Sequence, residues 1–175
     1  MEKIYELLGR SITALEKHDA IGLRKVSADA INEAAVEQHR ELILLSLVDY
    51  ALSKMLNKPH YEERETTFFK KVLAEMKIAK EGDKKEVLHR LERAEDMVIK
   101  IDTKKGHYEE TLIDKAKVKR AANLYYQGLS LKRASELTGA DSTKVMEYSG
   151  SGKIHEFKDE GPLRARLKKA REVLV

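Results

Sequence analysis

The sequence predicts an all-α protein: an N-terminal antiparallel helical bundle, a smaller helical module after it, and a basic amphipathic helix at the C-terminal end. Three observations predict this. Apolar residues recur at spacings of three and four along most of the chain, the period of one helix face. Glycines and Ser, Thr or Asp residues punctuate those runs where helices stop and start. The third is size: 175 residues at 42% hydrophobic composition can bury one good core, or one core and a small satellite.

Taken in order, Ile4, Leu7, Leu8, Ser11, Ile12 and Leu15 define the face of a first helix, which His18-Asp19 with Gly22 is expected to end. In VSADAI, Ser27 suits an N-cap, Asp29 favours the positive end of a helix dipole and Val26 can staple onto Ile31, so a long helix is expected from Ala28. No Gly or Pro interrupts the chain from there to Pro59, and ordinary helix lengths place a break near Glu37-Gln38-His39. The second half, LILLSLVDYALSKML, is apolar on nearly every side, as the central helix of a bundle is. Phe68, Phe69, Val72, Leu73 and Met76 form the face of a following helix that Gly82 closes. Asp83 then caps another, with Glu86 in the capping-box position. Val87, Leu91, Ala94, Val98 and Ile101 repeat at four, three, four and three, a bundle-facing stripe. Asp102 to Gly106 is polar and carries a breaker, which divides the chain into a bundle over 1–101, a second module over 107–160 and a basic helix over 161–175.

Composition bounds the function classes. The absence of cysteine excludes disulfides, thiolate metal sites and cysteine nucleophiles. No stretch approaches the roughly 18 uninterrupted apolar residues that cross a bilayer, so no membrane partner is expected. Met1 to Arg10 carries Glu2, Lys3 and Glu6, unlike a signal peptide, which makes the cytoplasm the expected compartment. Charged residues reach 37%, compatible with many surface ion pairs and a thermophilic source. Residues 1–100 hold 18 basic and 19 acidic side chains, net −1, whereas 101–175 hold 16 and 11, net +5. A polyanion partner is therefore expected at the C-terminal part.

In that part, residues 108–127 read as an amphipathic helix through Leu112, Ala116, Val118, Ala122 and Tyr125, with Gly128 as its natural stop. Ser130 caps a short helix, LKRASELTG, ended by Gly139; Asp141 caps another, STKVMEYSG. Two short helices meeting at a glycine need a small residue at the close approach and apolar residues locking the second helix. Ser135, Gly139, Val145 and Tyr148 supply these, with Ala134 and Ala140 filling behind. The stretch QGLSLKRASELTGADSTKVMEY resembles the helix-turn-helix DNA-binding superfamily, in particular small prokaryotic regulators and antitoxin-like proteins, over about residues 120–150.

The resemblance implies that Ser142, Thr143, Lys144 and Glu147 face the DNA groove from a recognition helix, and that Lys132 and Arg133 lie on the helix crossing the phosphate backbone. Between Asp141 and Glu147 that helix has one Lys against two acids and no Arg, Asn or Gln, so strong bidentate base contacts are lacking. Phosphate contacts are expected instead from flanking cations: Lys115, Lys117, Lys119, Arg120 and Lys153.

Other motifs weigh less. GSGK at 150–153 lacks the glycine five positions before Gly152, where Glu147 stands, and Lys153 is followed by Ile154 rather than Ser or Thr, so it is not read as a nucleotide loop. The six histidines show no ligand spacing. Glu86-Val87-Leu88-His89 is a single Glu-x-x-His string where a di-iron bundle needs two, and no metal or other cofactor is expected. Asp49 interrupts the apolar row Leu42, Leu45, Leu52, Leu56 and demands a partner such as Arg10, Arg24 or Lys25, or else a raised pKa. It reads as a paired structural carboxylate, with a lone catalytic acid as the sharper alternative. Tyr125-Tyr126 reads as core with hydroxyls at the rim, against a base-stacking role. Leu163, Leu167, Ala170 and Leu174 share one face of the terminal helix, which serves as a packing helix, a backbone clamp or an arm around a second subunit.

The functional expectation is a non-enzymatic DNA-binding regulator that meets double-stranded DNA mainly through phosphates, as a homo-oligomer. The alternative is a protein-interaction module, antitoxin-like or scaffolding, that does not touch DNA itself and binds a protein partner.

Overall fold

A computed structural model describes residues 2–58, 66–105 and 110–150, and among them the chain is all α with no strand. The helices are α1 (Glu2–Glu16), α2 (Ala20–Glu37), α3 (Arg40–Met55), α4 (Thr66–Glu81), α5 (Lys84–Lys105), α6 (Leu112–Tyr126), α7 (Leu131–Thr138) and α8 (Ser142–Gly150). The terminal basic helix expected over 161–175, and Lys153, lie outside the described residues.

α3 is the axis of the molecule. Its residues Glu41 to Asp49 are all buried, and it packs against α1, α2, α5, α6 and α7. An apolar surface on every side of a helix can be covered only by neighbours on every side, which is why this segment takes the centre. α2 turns back onto it as a hairpin at Gln38, the left-handed residue that ends α2 (φ 52°), and His39. The buried apolar residues form one continuous cluster from Ile4 to Val145.

The start of α2 differs from the sequence reading. Asp19, not Ser27, caps it, accepting from Gly22 N at 2.8 Å, so Gly22 lies inside the first turn instead of marking a stop. Ser27 sits mid-helix, fully buried. Its Oγ donates to Ser46 O at 2.5 Å, and Ser46 Oγ returns a bond to Ser27 O at 2.7 Å. This reciprocal pair lets α2 and α3 approach closely while satisfying two hydroxyls that burial would otherwise penalise by roughly 1–3 kcal/mol each.

The polar stretch from Asp102 belongs in part to a helix. α5 continues through Asp102 to Lys105, and Asp102 is buried because its carboxylate accepts from Leu112 N at 2.5 Å, tying the end of α5 to the start of α6. α6 then packs against α2, α3 and α5, so residues 112–126 share the bundle's core.

Asp49 is fully buried. Its Oδ1 accepts from Ser11 Oγ at 2.5 Å, while Arg10, one of the cations expected beside it, pairs with Asp29 at 2.5 Å. Burial pushes the Asp49 carboxyl up to about 8, opposed by the Ser11 hydrogen bond and the charge of Arg120. The group is enclosed by core and has no approach for a substrate.

Candidate nucleic-acid interface

α6, α7 and α8 form a compact trio built from local signals. Thr111 and Asp114 make a reciprocal capping box at the start of α6. Gly128 ends that helix at φ 90°, which allows Leu129 N to reach back to Leu124 O at 3.1 Å. Ser130 caps α7 through Arg133 N at 3.1 Å. At the junction with α8, Gly139 takes the left-handed conformation (φ 69°), its N–H donates to Ser135 O at 2.8 Å, and Ala140 N donates to the same oxygen at 3.2 Å. A side chain at Gly139 would strain this turn. Asp141 caps α8 by accepting from Lys144 N at 3.0 Å, and that bond holds its carboxyl below the usual range.

α8 is fastened from inside. Val145 is fully buried, Tyr148 is half-buried, and Tyr126 on α6 donates its hydroxyl to Ser149 O at 2.8 Å. That bond keeps the Tyr126 hydroxyl within the protein; its neighbour Tyr125 is partly exposed, at 37%. Ser135 is buried where α7 meets the core, but its Oγ finds no partner among the described residues. Ser135→Ala should therefore be neutral or stabilise by up to about 1 kcal/mol, whereas Ser135→Leu should cost about 2 kcal/mol by overfilling the site. Urea denaturation of the two variants separates these outcomes.

The outer face of α8 presents Ser142, Thr143, Lys144, Met146 and Glu147, all exposed. Lys144 Nζ is ion-paired and hydrogen-bonded to Glu110, which raises the lysine's pKa and offsets its charge. Lys132 is exposed on α7. Arg133 is exposed as well, with Nε donating to Gln38 Oε1 at 2.9 Å and Nη1 lying 3.7 Å from Glu136. On α6, Lys119 is half-buried, Lys117 lies 3.8 Å from Glu95, and Lys115 is exposed.

Arg120 is different, and its expected role as a phosphate contact does not hold. It is 4% exposed, its Nη2 donates to Ser27 Oγ at 2.5 Å, and its guanidinium lies 5.0 Å from the centre of the Tyr50 ring. With the Asn123 amide turned to suit both neighbours, Asn123 accepts from Arg120 Nη1 at 3.1 Å and donates to Lys119 O at 3.0 Å. A guanidinium so engaged beneath α6 cannot reach a ligand on the surface. The helix spacing carried the signal: Ile113, Ala116, Arg120 and Leu124 share one stripe, and all are buried.

Between α3, α6 and α8 runs a groove of about 540 Å³. Tyr50 and Lys54 line it from α3, Glu110 from the turn before α6, Lys115, Val118 and Lys119 from α6, and Lys144, Glu147 and Tyr148 from α8. The sequence reading missed the α3 contribution because Tyr50 and Lys54 belong to a bundle segment of near-zero net charge. Their partners here stand more than fifty residues away.

In the Glu86-x-x-His89 string, Glu86 accepts from Arg90 Nε at 2.6 Å, and His89 is exposed. Among the described residues no group of three His, Asp or Glu is placed to hold a metal ion, and no helix is long and apolar enough to cross a membrane. Comparisons with models of protein families, with curated proteins and with solved structures find no match to this chain.

Proposed function

We propose that the chain binds duplex DNA through a helix-turn-helix formed by α7 and α8, chiefly by phosphate contacts and without catalysis. The observation that carries this reading is the turn at Gly139. Its left-handed conformation sets α8 across α7 and α6 with Val145 locked inward, leaving Ser142, Thr143 and Glu147 exposed on the outward face of α8. A helix held from behind, with an exposed outer face among the described residues, has the form needed to enter a major groove. Lys132 and Arg133 on α7, with Lys115 and Lys119 on α6, supply the flanking cations. Two copies would place two such helices on one duplex, so a homo-oligomer fits the same proposal.

A titration against random duplex DNA at several salt concentrations tests it. Lys132→Ala should weaken binding and lower the slope of log K against log salt by about one. Lys144→Ala should do less, because Glu110 already offsets that charge, and Glu110→Gln should strengthen binding by freeing it. Unchanged affinity and slope in all three variants would refute the proposal.

One observation favours a protein partner instead. Met146 is 49% exposed on the outer face of α8, between the acidic Asp141 and Glu147. An adaptable apolar side chain there suits a protein surface better than a phosphate backbone. Met146→Ala that left DNA affinity unchanged but abolished a protein complex would favour this second reading.

A further inference from the structure

We infer that the groove between α3, α6 and α8 is a binding site for a small phosphate-bearing molecule. The chemistry begins at Tyr50, whose ring is approached by three cations: Lys54 Nζ at 5.5 Å, Lys119 Nζ at 5.6 Å and the Arg120 guanidinium at 5.0 Å from its centre. An aromatic face attracts a cation only weakly, and like charges gathered on one ring repel each other. Lys54 registers the crowding. Burial lowers its pKa first, and the charges of Arg24, Lys119 and Lys58 lower it further.

An anion in the groove converts that repulsion into attraction. Lys115 and Lys144 line the same groove, so four lysines from three helices, with Lys54 and Lys119, face two carboxylates, Glu110 and Glu147, across one concavity; Glu110 is paired with Lys144, and the lining keeps a net positive charge at the Tyr50 end. A phosphate group fits such a site better than a single carboxylate: it carries up to two negative charges and three acceptor oxygens, enough for cations from separate walls. The volume of about 540 Å³ falls within the range of roughly 300–1,000 Å³ typical of small-ligand sites. The aromatic rings of Tyr50 and Tyr148 offer apolar surface for the rest of the molecule. The site shares Lys115, Lys119 and Lys144 with the duplex-binding proposal, so the experiment is arranged to tell the two apart.

Inorganic pyrophosphate is the probe, titrated calorimetrically into the full-length chain at low salt. Wild type should bind at one saturable site. Lys54→Met with Lys119→Met retains the apolar stems over Tyr50 while deleting both charges, and should weaken binding at least tenfold; Lys85→Met, on the exposed side of α5, should not. Because an anion restores the proton affinity of Lys54, wild type should also take up protons on binding at alkaline pH, and Lys54→Met should lose that uptake. Absence of saturable binding, or equal binding by wild type and the double variant, would overturn the assignment. So would loss of duplex affinity in the double variant when wild type takes up no pyrophosphate, since the lysines would then belong to a DNA surface.

Discussion

Asp49→Asn should make the folded protein more stable than wild type at pH 8 by several kcal/mol while leaving it nearly unchanged at pH 4. The folded carboxyl titrates at about 8 because burial penalises its charged form; in the unfolded chain it titrates near 3.9. Between those values the native state keeps a proton that the unfolded state has lost. Stability contributed by this group is therefore fully present below about pH 4 and declines by about 1.4 kcal/mol per pH unit until the folded group ionises. Asparagine is neutral throughout and nearly isosteric, so it removes this slope. Glu95 is also pushed upward by burial and adds to the wild-type trend in the same direction. The difference between wild type and Asp49→Asn isolates Asp49. Urea denaturation at pH 4, 6 and 8 makes the measurement, and parallel curves for the two proteins would show that Ser11 and Arg120 hold the carboxylate ionised in the core.

What the sequence made legible was what short-range chemistry decides. The caps at Asp83, Ser130 and Asp141 and the glycine stops at Gly128 and Gly139 depend on atoms within a few residues, and each stands where the pattern put it. The burial of α3 on every side was equally legible, since an apolar surface all round leaves no other place. Ser27 shows where such reading fails. Ser-Ala-Asp before an apolar run has the form of a helix start, yet Ser46, 19 residues on, and Arg120, 93 residues on, decide what that hydroxyl does. Asp49 was recognisable as an anomaly from its row, but not that its hydrogen-bonding partner would be a serine on α1 rather than a cation. The groove at Tyr50 was beyond reach for the same reason: its lysines come from helices whose packing no local pattern specifies.

Arg120→Ala should cost about 3 kcal/mol of folding stability without a specific loss of duplex affinity, the reverse of what a surface phosphate contact would do. The guanidinium links α6 to α2 through Ser27 and to α3 through the face of Tyr50, and Ser27 is itself bound reciprocally to Ser46. Its removal opens a cavity at the meeting of three helices and releases the Asn123 amide from its acceptor role. Arg120→Lys should recover only part of the loss, because an ammonium lacks the planar fork that reaches Ser27 and Asn123 together while lying against Tyr50. Asp49 offers a second readout. The charge of Arg120 lowers the pKa of that carboxyl, so Arg120→Ala should move its titration higher still, steepening the loss of stability above pH 7. Denaturation at two pH values, alongside DNA binding of the folded variant, separates the two roles. A variant of full stability that bound duplex more weakly would return Arg120 to the surface and require α6 to pack differently against α2.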